Sequence, residues 1–282
     1  MRIAITGAGG MLGRDVADAV AAAGHTPVSL TRAGLDVTDA AAAVAAIGAA
    51  SPDAVVNCAA WTDVDGAEDH ETQALAVNGA GAGHVAAAAA ATGAFLVHVS
   101  TDYVFDGSAA RPYVESDPVA PLGAYGRTKL AGEAAVAASG AAAATVRTAW
   151  LFGLHGKNFA DTMLRLGAER DEVSVVTDQV GCPTWTGHLA RALVTIAERR
   201  AAGVHHAAGA GQCSWHGFAV EIFRQAGVSC TVRETTTAAF PRPAARPAWS
   251  VLGSERADAV ALPRWQDGLA GYLAARSAMV GA

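Results

Sequence analysis

The chain has 282 residues, of which 52% are hydrophobic and 6% aromatic, and its formal net charge is −6. A negative charge without any block of basic residues argues against a nucleic-acid-binding protein. No uncharged apolar run reaches the roughly 20 residues of a membrane-spanning helix, and the start, MRIAITGAGG, lacks a signal-peptide pattern. We therefore expect a cytoplasmic protein of one or two domains that binds neither nucleic acid nor membranes.

Cysteine and histidine spacing gives no sign of a metal site or a disulfide framework. The four cysteines lie far apart, without a C-x-x-C pair, and the nine histidines show no H-x-x-x-H spacing. We expect reduced and mostly buried cysteines.

The first half of the chain alternates short apolar strands with alanine-rich helices. We predict strands at 2–6, 26–30, 53–59 and 94–100, separated by helices at 12–23, 39–50 and 71–92. An irregular stretch from 101 to about 124 precedes a helix to about 138 and a strand at 143–150. This order predicts an α/β fold, a Rossmann-type doubly wound parallel sheet with helices on both faces.

The second half has a looser pattern. We predict helices at 159–166, 187–200, 215–226 and 265–276, with strands near 173–177 and 203–208. The sequence therefore predicts an NADP-binding Rossmann domain over residues 1–150. Residues 151–282 would form a smaller substrate-binding lobe, with some segments returning to the Rossmann core.

A glycine-rich turn, ITGAGGMLG, follows the first strand and opens the first helix. Gly7, Gly10 and Gly13 recur every three residues, which is close to the dinucleotide fingerprint. Glycines allow a tight turn and a close approach of the backbone to a pyrophosphate, and the helix N-terminus favours the phosphate charge. The sequence predicts a dinucleotide site here.

The residues after the second strand bear on which dinucleotide binds. NAD sites usually place a carboxylate there, whereas this chain has Thr31 and Arg32. Because Arg32 could pair with a 2′-phosphate, we predict NADPH, with NADH possible. Asp36 could reach the adenine or cap the next helix.

Tyr125 and Lys129 lie four residues apart in the motif YGRTK, so they share one face of a helix. A nearby ammonium favours the phenolate, and we expect Lys129 to lower the pKa of Tyr125 towards the useful range for acid catalysis. The strand ending in HVSTDYVF places Thr101 at the carboxyl edge of the sheet, where such folds bind ligands. A hydroxyl, a phenol and an ammonium are thus predicted to converge beside the dinucleotide.

This triad resembles that of the extended short-chain dehydrogenase/reductase superfamily. The likeness is most specific to the dTDP-4-dehydrorhamnose reductases, and it covers nearly the whole chain. The motifs that carry it, in order, are TGAGGMLG, VVNCAAWTDVDGAE, AVNGAGAGHVA, VSTDYVFDG, YGRTKLAGE, VRTAWLFG, NFADTMLRL, DQVGCPT and RPAWSVL.

The resemblance implies hydride transfer from NADPH to the C4 ketone of dTDP-4-dehydro-6-deoxy-L-mannose, giving dTDP-L-rhamnose. In the family pattern Tyr125 donates the proton, Thr101 hydrogen-bonds the carbonyl oxygen, and Lys129 holds the nicotinamide ribose. Tyr125 and Lys129 thereby also count as cofactor contacts. The implied partners are a dTDP-sugar substrate and, at most, a second copy of the chain, as a monomer or homodimer.

Further binding residues are implied by the same motifs. For the cofactor they are Gly7, Gly10, Met11, Leu12, Gly13, Arg32, Asp36, Val37, Ala59, Ala60, Thr62 and Asn78. For the substrate they are Thr101, Asp102, Tyr103, Tyr125, Trp150, Asn158, Phe159, Gln179, Pro183, Thr184 and Arg246. Simpler roles stay open for three of them: Trp150 as core, Asn158 as a helix cap and Arg246 as a surface charge.

Some members of the family are described with magnesium held by glutamates at a dimer contact. Asp15 is the only acidic residue that we match to the first-helix position, so we predict no required metal.

Three alternative functions stay open. The first is a 4-ketoreductase of another dTDP-deoxysugar, from an antibiotic or dihydrostreptose pathway. The second is a non-catalytic NADP-binding regulatory protein on the same fold, against which the intact triad argues. The third is an epimerase or dehydratase of the superfamily; for a dehydratase, an acidic pair is expected where this chain has Asp102 and Tyr103.

Overall fold

A computed structural model of the protein describes residues 1–280. Its strands are β1 (Arg2–Thr6), β2 (Thr26–Leu30), β3 (Ala54–Asn57), β4 (Phe95–Thr101), β5 (Ala143–Thr148), β6 (Leu151–Phe152), β7 (Glu172–Val176), β8 (Val180–Gly181), β9 (Thr184–Trp185), β10 (Gly203–His206), β11 (Cys213–Ser214) and β12 (Thr231–Thr235). Its helices are α1 (Met11–Ala22), α2 (Ala40–Ala50), α3 (Gly66–Asp69), α4 (Glu71–Leu75), α5 (Gly81–Thr92), α6 (Ala124–Ala138), α7 (Phe159–Glu169), α8 (Thr186–Arg199), α9 (Trp215–Ala226) and α10 (Trp265–Val280).

Six strands form one parallel sheet in the order β2-β1-β3-β4-β5-β10. The chain leaves β1 towards one edge to make β2, and β3 then lies on the other side of β1. In doubly wound sheets, ligands bind outside the carboxyl ends of the strands near this reversal. The predicted fold class is confirmed.

Each face of the sheet has its own apolar layer. On one face Ile3, Ile5, Val56 and Val97 pack against α1 and α8. On the other face Ala4, Val55 and Leu96 pack against α2 and α5. Burying a branched aliphatic side chain of this size contributes roughly 1.5–3 kcal/mol, so these layers fix the strand register that positions the site.

The stretch from Glu71 to Thr92 is helical, as predicted, but its middle is a π-helical turn, Ala76–Ala80, between α4 and α5. By length and composition alone these 22 residues could cross a membrane, which our sequence criterion did not allow for. In the fold, half of the apolar window is buried inside the protein, so the stretch is a core helix.

The second half of the chain divides between the sheet and a separate apolar cluster. The helix α8 packs against α1, and β10 pairs with β5 at the edge of the sheet. The remaining elements gather around Phe152, Phe218, Trp265 and Tyr272. The predicted strand near 173–177 corresponds to β7, but β12 and its pairing with β7 were not predicted. The two-residue strands were also missed, because segments that short carry no periodicity. We propose that this second cluster is the core of the substrate-binding lobe, with the boundary near residue 150.

Candidate active site

The glycine turn is built as a dinucleotide cradle would require. Gly7 has a left-handed φ of 64°, and a Cβ atom there would lie 2.7 Å from the backbone nitrogen of Ala59. A Cβ atom at Gly13 would lie 2.3 Å from the carbonyl oxygen of Gly7, so neither position tolerates a side chain. Gly10 precedes the first residue of α1, Met11, and leaves its amide end open to an anion. The residues present therefore fit a pyrophosphate.

The predicted adenosine residues lie in the turn after β2. Arg32 is exposed, and none of the hydrogen bonds and ion pairs of residues 1–280 involves its side chain. Asp36 accepts hydrogen bonds from the amide and the hydroxyl of Thr38, at 3.0 and 2.8 Å, which lower its pKa. The helix cap that we considered for Asp36 belongs to Asp39, which accepts from the first amides of α2. Val37 is buried.

The loop after β3 holds three further predicted cofactor residues, Ala59, Ala60 and Thr62. Asn78 on the π-helical turn fixes this loop through two bonds to Trp61, accepting from its amide at 2.9 Å and donating to its carbonyl at 3.1 Å. Asn78 is 1% exposed and also donates to the hydroxyl of Thr128 on α6. The extra residue of a π-turn is a feature that often lies at functional sites. Asn78 thus fixes the backbone of the loop after β3 by hydrogen bonds to Trp61.

The three triad residues converge at the carboxyl edge of the sheet. Thr101 ends β4, while Tyr125 and Lys129 lie one turn apart on α6, which packs on that strand. The hydroxyl of Thr101 acts on the phenol of Tyr125 and lowers its pKa. The ammonium of Lys129 is buried and donates to the carbonyl oxygen of Val99 at 2.7 Å.

The predicted electrostatic coupling between Lys129 and Tyr125 is wrong for this structure. Burial raises the pKa of Tyr125 to about 12, the charge of Asp102 adds to the rise, and Thr101 is the group that opposes it. Burial lowers the pKa of Lys129 to about 8, and Glu133 and Cys58 partly offset this. Sequence spacing placed both groups on one helix face, but it did not reveal that desolvation outweighs their attraction.

A buried ion pair beneath Lys129 was not predicted. Glu133, one turn after Lys129, accepts from Arg147 at 3.0 and 2.8 Å and from the hydroxyl of Ser100 at 2.5 Å. The side chains of Arg147 and Glu133 are 6% and 9% exposed. This bidentate pair ties α6 to β4 and β5. The i, i+4 spacing of Lys129 and Glu133 within YGRTKLAGE was the available signal.

Two of the three residues predicted to flank the sugar, Asp102 and Tyr103, lie beside Tyr125. The ring of Tyr103 meets that of Tyr125 edge-on, with centroids 5.8 Å apart. Trp150 adopts a left-handed φ of 47°, unusual for a bulky residue, and its indole stacks on Trp215 at 3.6 Å. Trp215 had no distinguishing sequence signal. Asp102, 2% exposed, lies directly after Thr101.

The predicted nucleotide residues differ in how they are used. Asn158 caps α7 and accepts a hydrogen bond from the amide of Asp161 at 3.0 Å. The structure therefore shows the helix-cap role that the sequence left open for it. Phe159 packs against Trp215 at 4.6 Å, and Gln179 accepts from that indole at 3.2 Å. These two residues and Trp215 form one aromatic and amide wall.

Thr184 is not brought to a surface that a ligand could reach. It is fully buried, donates to the carbonyl oxygen of Cys182 at 3.0 Å and accepts from the amide of Gly209 at 3.0 Å. Pro183 beside it is also buried. Thr184 therefore holds the backbone at Cys182 and Gly209 in this structure.

Arg246 is an ion-pair partner rather than a free surface charge. It lies in the arginine loop, residues 240–250, donating to Asp65 at 3.0 Å and to the carbonyl oxygen of Ala244. Arg242 donates to the same carboxylate. Although burial raises it, hydrogen bonds from Arg246, Arg242 and Ala244 lower the pKa of Asp65 to about 2. The loop is thereby fastened across to the segment between β3 and α3.

Asp15 is not the only acidic residue on α1. Asp18 follows Asp15 on α1, and together with His155 their ligand atoms lie within 4.8 Å of one another. Exposed acidic groups gather in this way in many proteins without a metal, so the absence of a required metal stays a prediction.

The family model described as the RmlD substrate binding domain matches residues 1–277. The chain belongs to the dTDP-4-dehydrorhamnose reductase family. This confirms the resemblance, and it makes the chain a member of a family of nicotinamide-dependent oxidoreductases.

Three relatives illustrate the likeness. A dTDP-4-dehydrorhamnose reductase of Streptomyces griseus is 46% identical, over 92% of this chain and 87% of its own. A dTDP-4-keto-6-deoxy-D-glucose reductase of Streptomyces niveus is 44% identical, over 89% and 88%. The crystal structure of the Bacillus anthracis dTDP-4-dehydrorhamnose reductase in complex with NADP is 35% identical, covers 97% of this chain and 99% of its own, and superimposes with a TM-score of 0.94.

Proposed function

We propose that this chain reduces the C4 ketone of dTDP-4-dehydro-6-deoxy-L-mannose to dTDP-L-rhamnose with NADPH. The convergence of Thr101, Tyr125 and Lys129 beside the glycine turn is the observation that carries the proposal. Family membership adds the substrate class, a dTDP-linked keto sugar. We propose that the reaction takes place in the cytoplasm and that the enzyme is a monomer or a homodimer.

In this proposal the glycine turn holds the pyrophosphate of the cofactor, and the segment from Arg32 to Val37 holds its adenosine half. Ala59, Ala60 and Thr62 line the same half, with Asn78 supporting them. The bound cofactor supplies the hydride that reaches C4. An exposed arginine in place of the usual carboxylate favours a 2′-phosphate, and so NADPH.

The proton in this reaction comes from Tyr125. As negative charge develops on the C4 oxygen, the phenol donates its proton to that oxygen and becomes a phenolate. Thr101 donates a second hydrogen bond to the same oxygen. Stabilisation of the negative charge that develops there in the transition state increases the rate. Lys129 would hold the ribose hydroxyls of the cofactor.

We assign the sugar to the pocket walls that Asp102, Tyr103 and Trp150 provide. Phe159 and Gln179 would contact the nucleotide, and Arg246 would pair with the diphosphate. Asn158, Pro183 and Thr184 would support this wall from behind.

The proposal is tested by following NADPH absorbance with purified protein and enzymatically generated dTDP-4-dehydro-6-deoxy-L-mannose. We expect rapid oxidation by the wild type and a loss of roughly 10²–10⁴-fold in Tyr125→Phe, the usual contribution of a general acid. NADH serves as the cofactor control, and unchanged thermal unfolding of Tyr125→Phe shows that the variant is folded.

A second function, reduction of a different dTDP-4-keto sugar, is favoured by the Streptomyces niveus relative, a dTDP-4-keto-6-deoxy-D-glucose reductase that is 44% identical to this chain. The same assay with dTDP-4-keto-6-deoxy-D-glucose separates the two. Binding of NADPH without oxidation by either sugar would leave the regulatory alternative.

A further inference from the structure

The hydroxyl of Thr101 has a single hydrogen and two acceptor positions. In this structure its hydrogen is directed to Oδ1 of Asp102 at 3.0 Å, and its oxygen accepts from the amide of Tyr103 at 3.2 Å. While that hydrogen is given to Asp102, Thr101 cannot donate to a ketone oxygen. The contribution of Thr101 to catalysis therefore depends on its neighbour.

Asp102 is a carboxyl group with unusual surroundings. It is 2% exposed, and its Oδ2 has no well-aligned hydrogen-bond partner within residues 1–280. Burial raises the pKa of Asp102 to about 6, while the hydroxyls of Ser250 and Thr101 oppose the rise. Protonation of this carboxyl costs little free energy near neutral pH, because burial penalises the charged form more than its hydrogen bonds stabilise it.

The groups that face Asp102 come from every element around it. Tyr125 on α6, the adjacent Tyr103 and Cys182 after β8 are the titratable neighbours, and the charge of Asp102 raises the pKa of each. Arg246 lowers the pKa of Tyr103 and Asp65 raises it. These neighbours are neutral at pH 5–8 apart from the paired Arg246 and Asp65, so Asp102 is the group whose charge can change at this point.

We propose that the Asp102 carboxyl sets the direction of the Thr101 hydrogen bond and is thus a positioning residue for the ketone reduction, an inference that rests on the function proposed above. When protonated, Asp102 donates its own hydrogen to the Thr101 oxygen, which frees the Thr101 hydrogen for the C4 oxygen. When ionised, Asp102 again accepts the hydrogen bond from the Thr101 hydroxyl. No proton is consumed by this exchange, since the proton delivered to the product still comes from Tyr125.

The test is the pH dependence of single-turnover hydride transfer, measured at saturating NADPH and dTDP-4-dehydro-6-deoxy-L-mannose between pH 5.5 and 8.5. The protonated fraction of a carboxyl with a pKa near 6 falls steeply across this range, so we expect the wild-type rate to fall at least about tenfold from pH 6 to pH 8. In Asp102→Asn, which has no ionisation to undergo, we expect a change of less than about twofold. Asp39→Asn, the same substitution at the exposed cap of α2, should retain the wild-type slope.

Thr101→Val approaches the same link from its other end and decides the matter if Asp102→Asn fails to fold. It should be slower and also lack the fall with pH. A wild-type dependence of the rate on pH in either variant would overturn this inference and leave the proposed function intact. Absence of NADPH oxidation by folded wild type at every pH would overturn the proposed function, and this inference with it.

Discussion

The triad region and the arginine loop differ in how they are held together. Tyr125 and Lys129 lie on a helix that a buried, bidentate ion pair fastens to the sheet, and Thr101 ends a central strand. The arginine loop lacks regular structure and is fastened by Arg242 and Arg246, which share Asp65. The reacting groups therefore have a rigid support. The arginine loop instead depends on ion pairs with Asp65, and the negative charge of a diphosphate would compete with Asp65 for the same arginines.

We expect the largest effect from breaking the support of the triad. Glu133→Ala leaves Arg147 as an uncompensated buried charge and should lower the free energy of unfolding by about 3–5 kcal/mol in urea titrations. Glu169→Ala removes an i, i+4 pair with Arg165 whose side chains are 53% and 61% exposed, and should cost less than about 1 kcal/mol. Equal losses in the two variants would show that the buried pair gives no special support.

The next largest effect concerns the free energy of unfolding that the buried carboxyl of Asp102 costs at high pH. The pKa of Asp102 is raised in the folded chain, so its stabilising contribution is complete below about pH 4 and is lost as pH rises through about 6. Asp102→Asn should therefore raise the free energy of unfolding by up to about 3 kcal/mol at pH 8, and leave it unchanged near pH 4. Urea unfolding at the two pH values checks this, and a pH-independent difference would contradict it.

The arginine loop should affect binding rather than chemistry. Arg246→Met should raise KM for the dTDP-sugar about 10–100-fold with little change in kcat, because a hydrogen bond between charged groups is worth about 1.5–3 kcal/mol. Arg242→Met is the matched control, since it shares Asp65 but is 61% exposed in its side chain. Steady-state kinetics decide the point. A comparable rise in KM for Arg242→Met would assign the effect to loss of the loop's attachment instead.

The smallest effect is expected at the surface beyond β2. Arg32→Ala should lower kcat/KM for NADPH about tenfold and leave that for NADH within about twofold, since only NADPH has a 2′-phosphate to pair with the guanidinium. Raising the salt concentration should narrow the wild-type preference. Equal losses with both cofactors would locate Arg32 away from the 2′ position.

Much of this contrast could be predicted from the sequence in the triad region. Regular spacing along one helix placed Tyr125 and Lys129 together, and the end of a predicted strand placed Thr101 at the ligand-binding edge. The energetic relation between these groups was not predictable, because desolvation of Tyr125 depends on the burial that the whole fold creates. Trp215 stayed hidden for a similar reason: it meets Trp150 across 65 positions of chain, and neither spacing nor composition marks it.

The sequence by itself determined the alternation of strands and helices, the glycine turn and the family to which the chain belongs. Those features depend on neighbours within a few residues, or on motifs that keep their order along the chain. Only the tertiary structure decided that Glu133 would pair with Arg147, that Asp65 would anchor two arginines and that Asp102 would be buried beside Thr101. The two ion-pair arrangements join segments that are brought together by the burial of apolar surface, and the burial of Asp102 depends on the same packing. That packing acts on the chain as a whole and leaves no local pattern in the sequence.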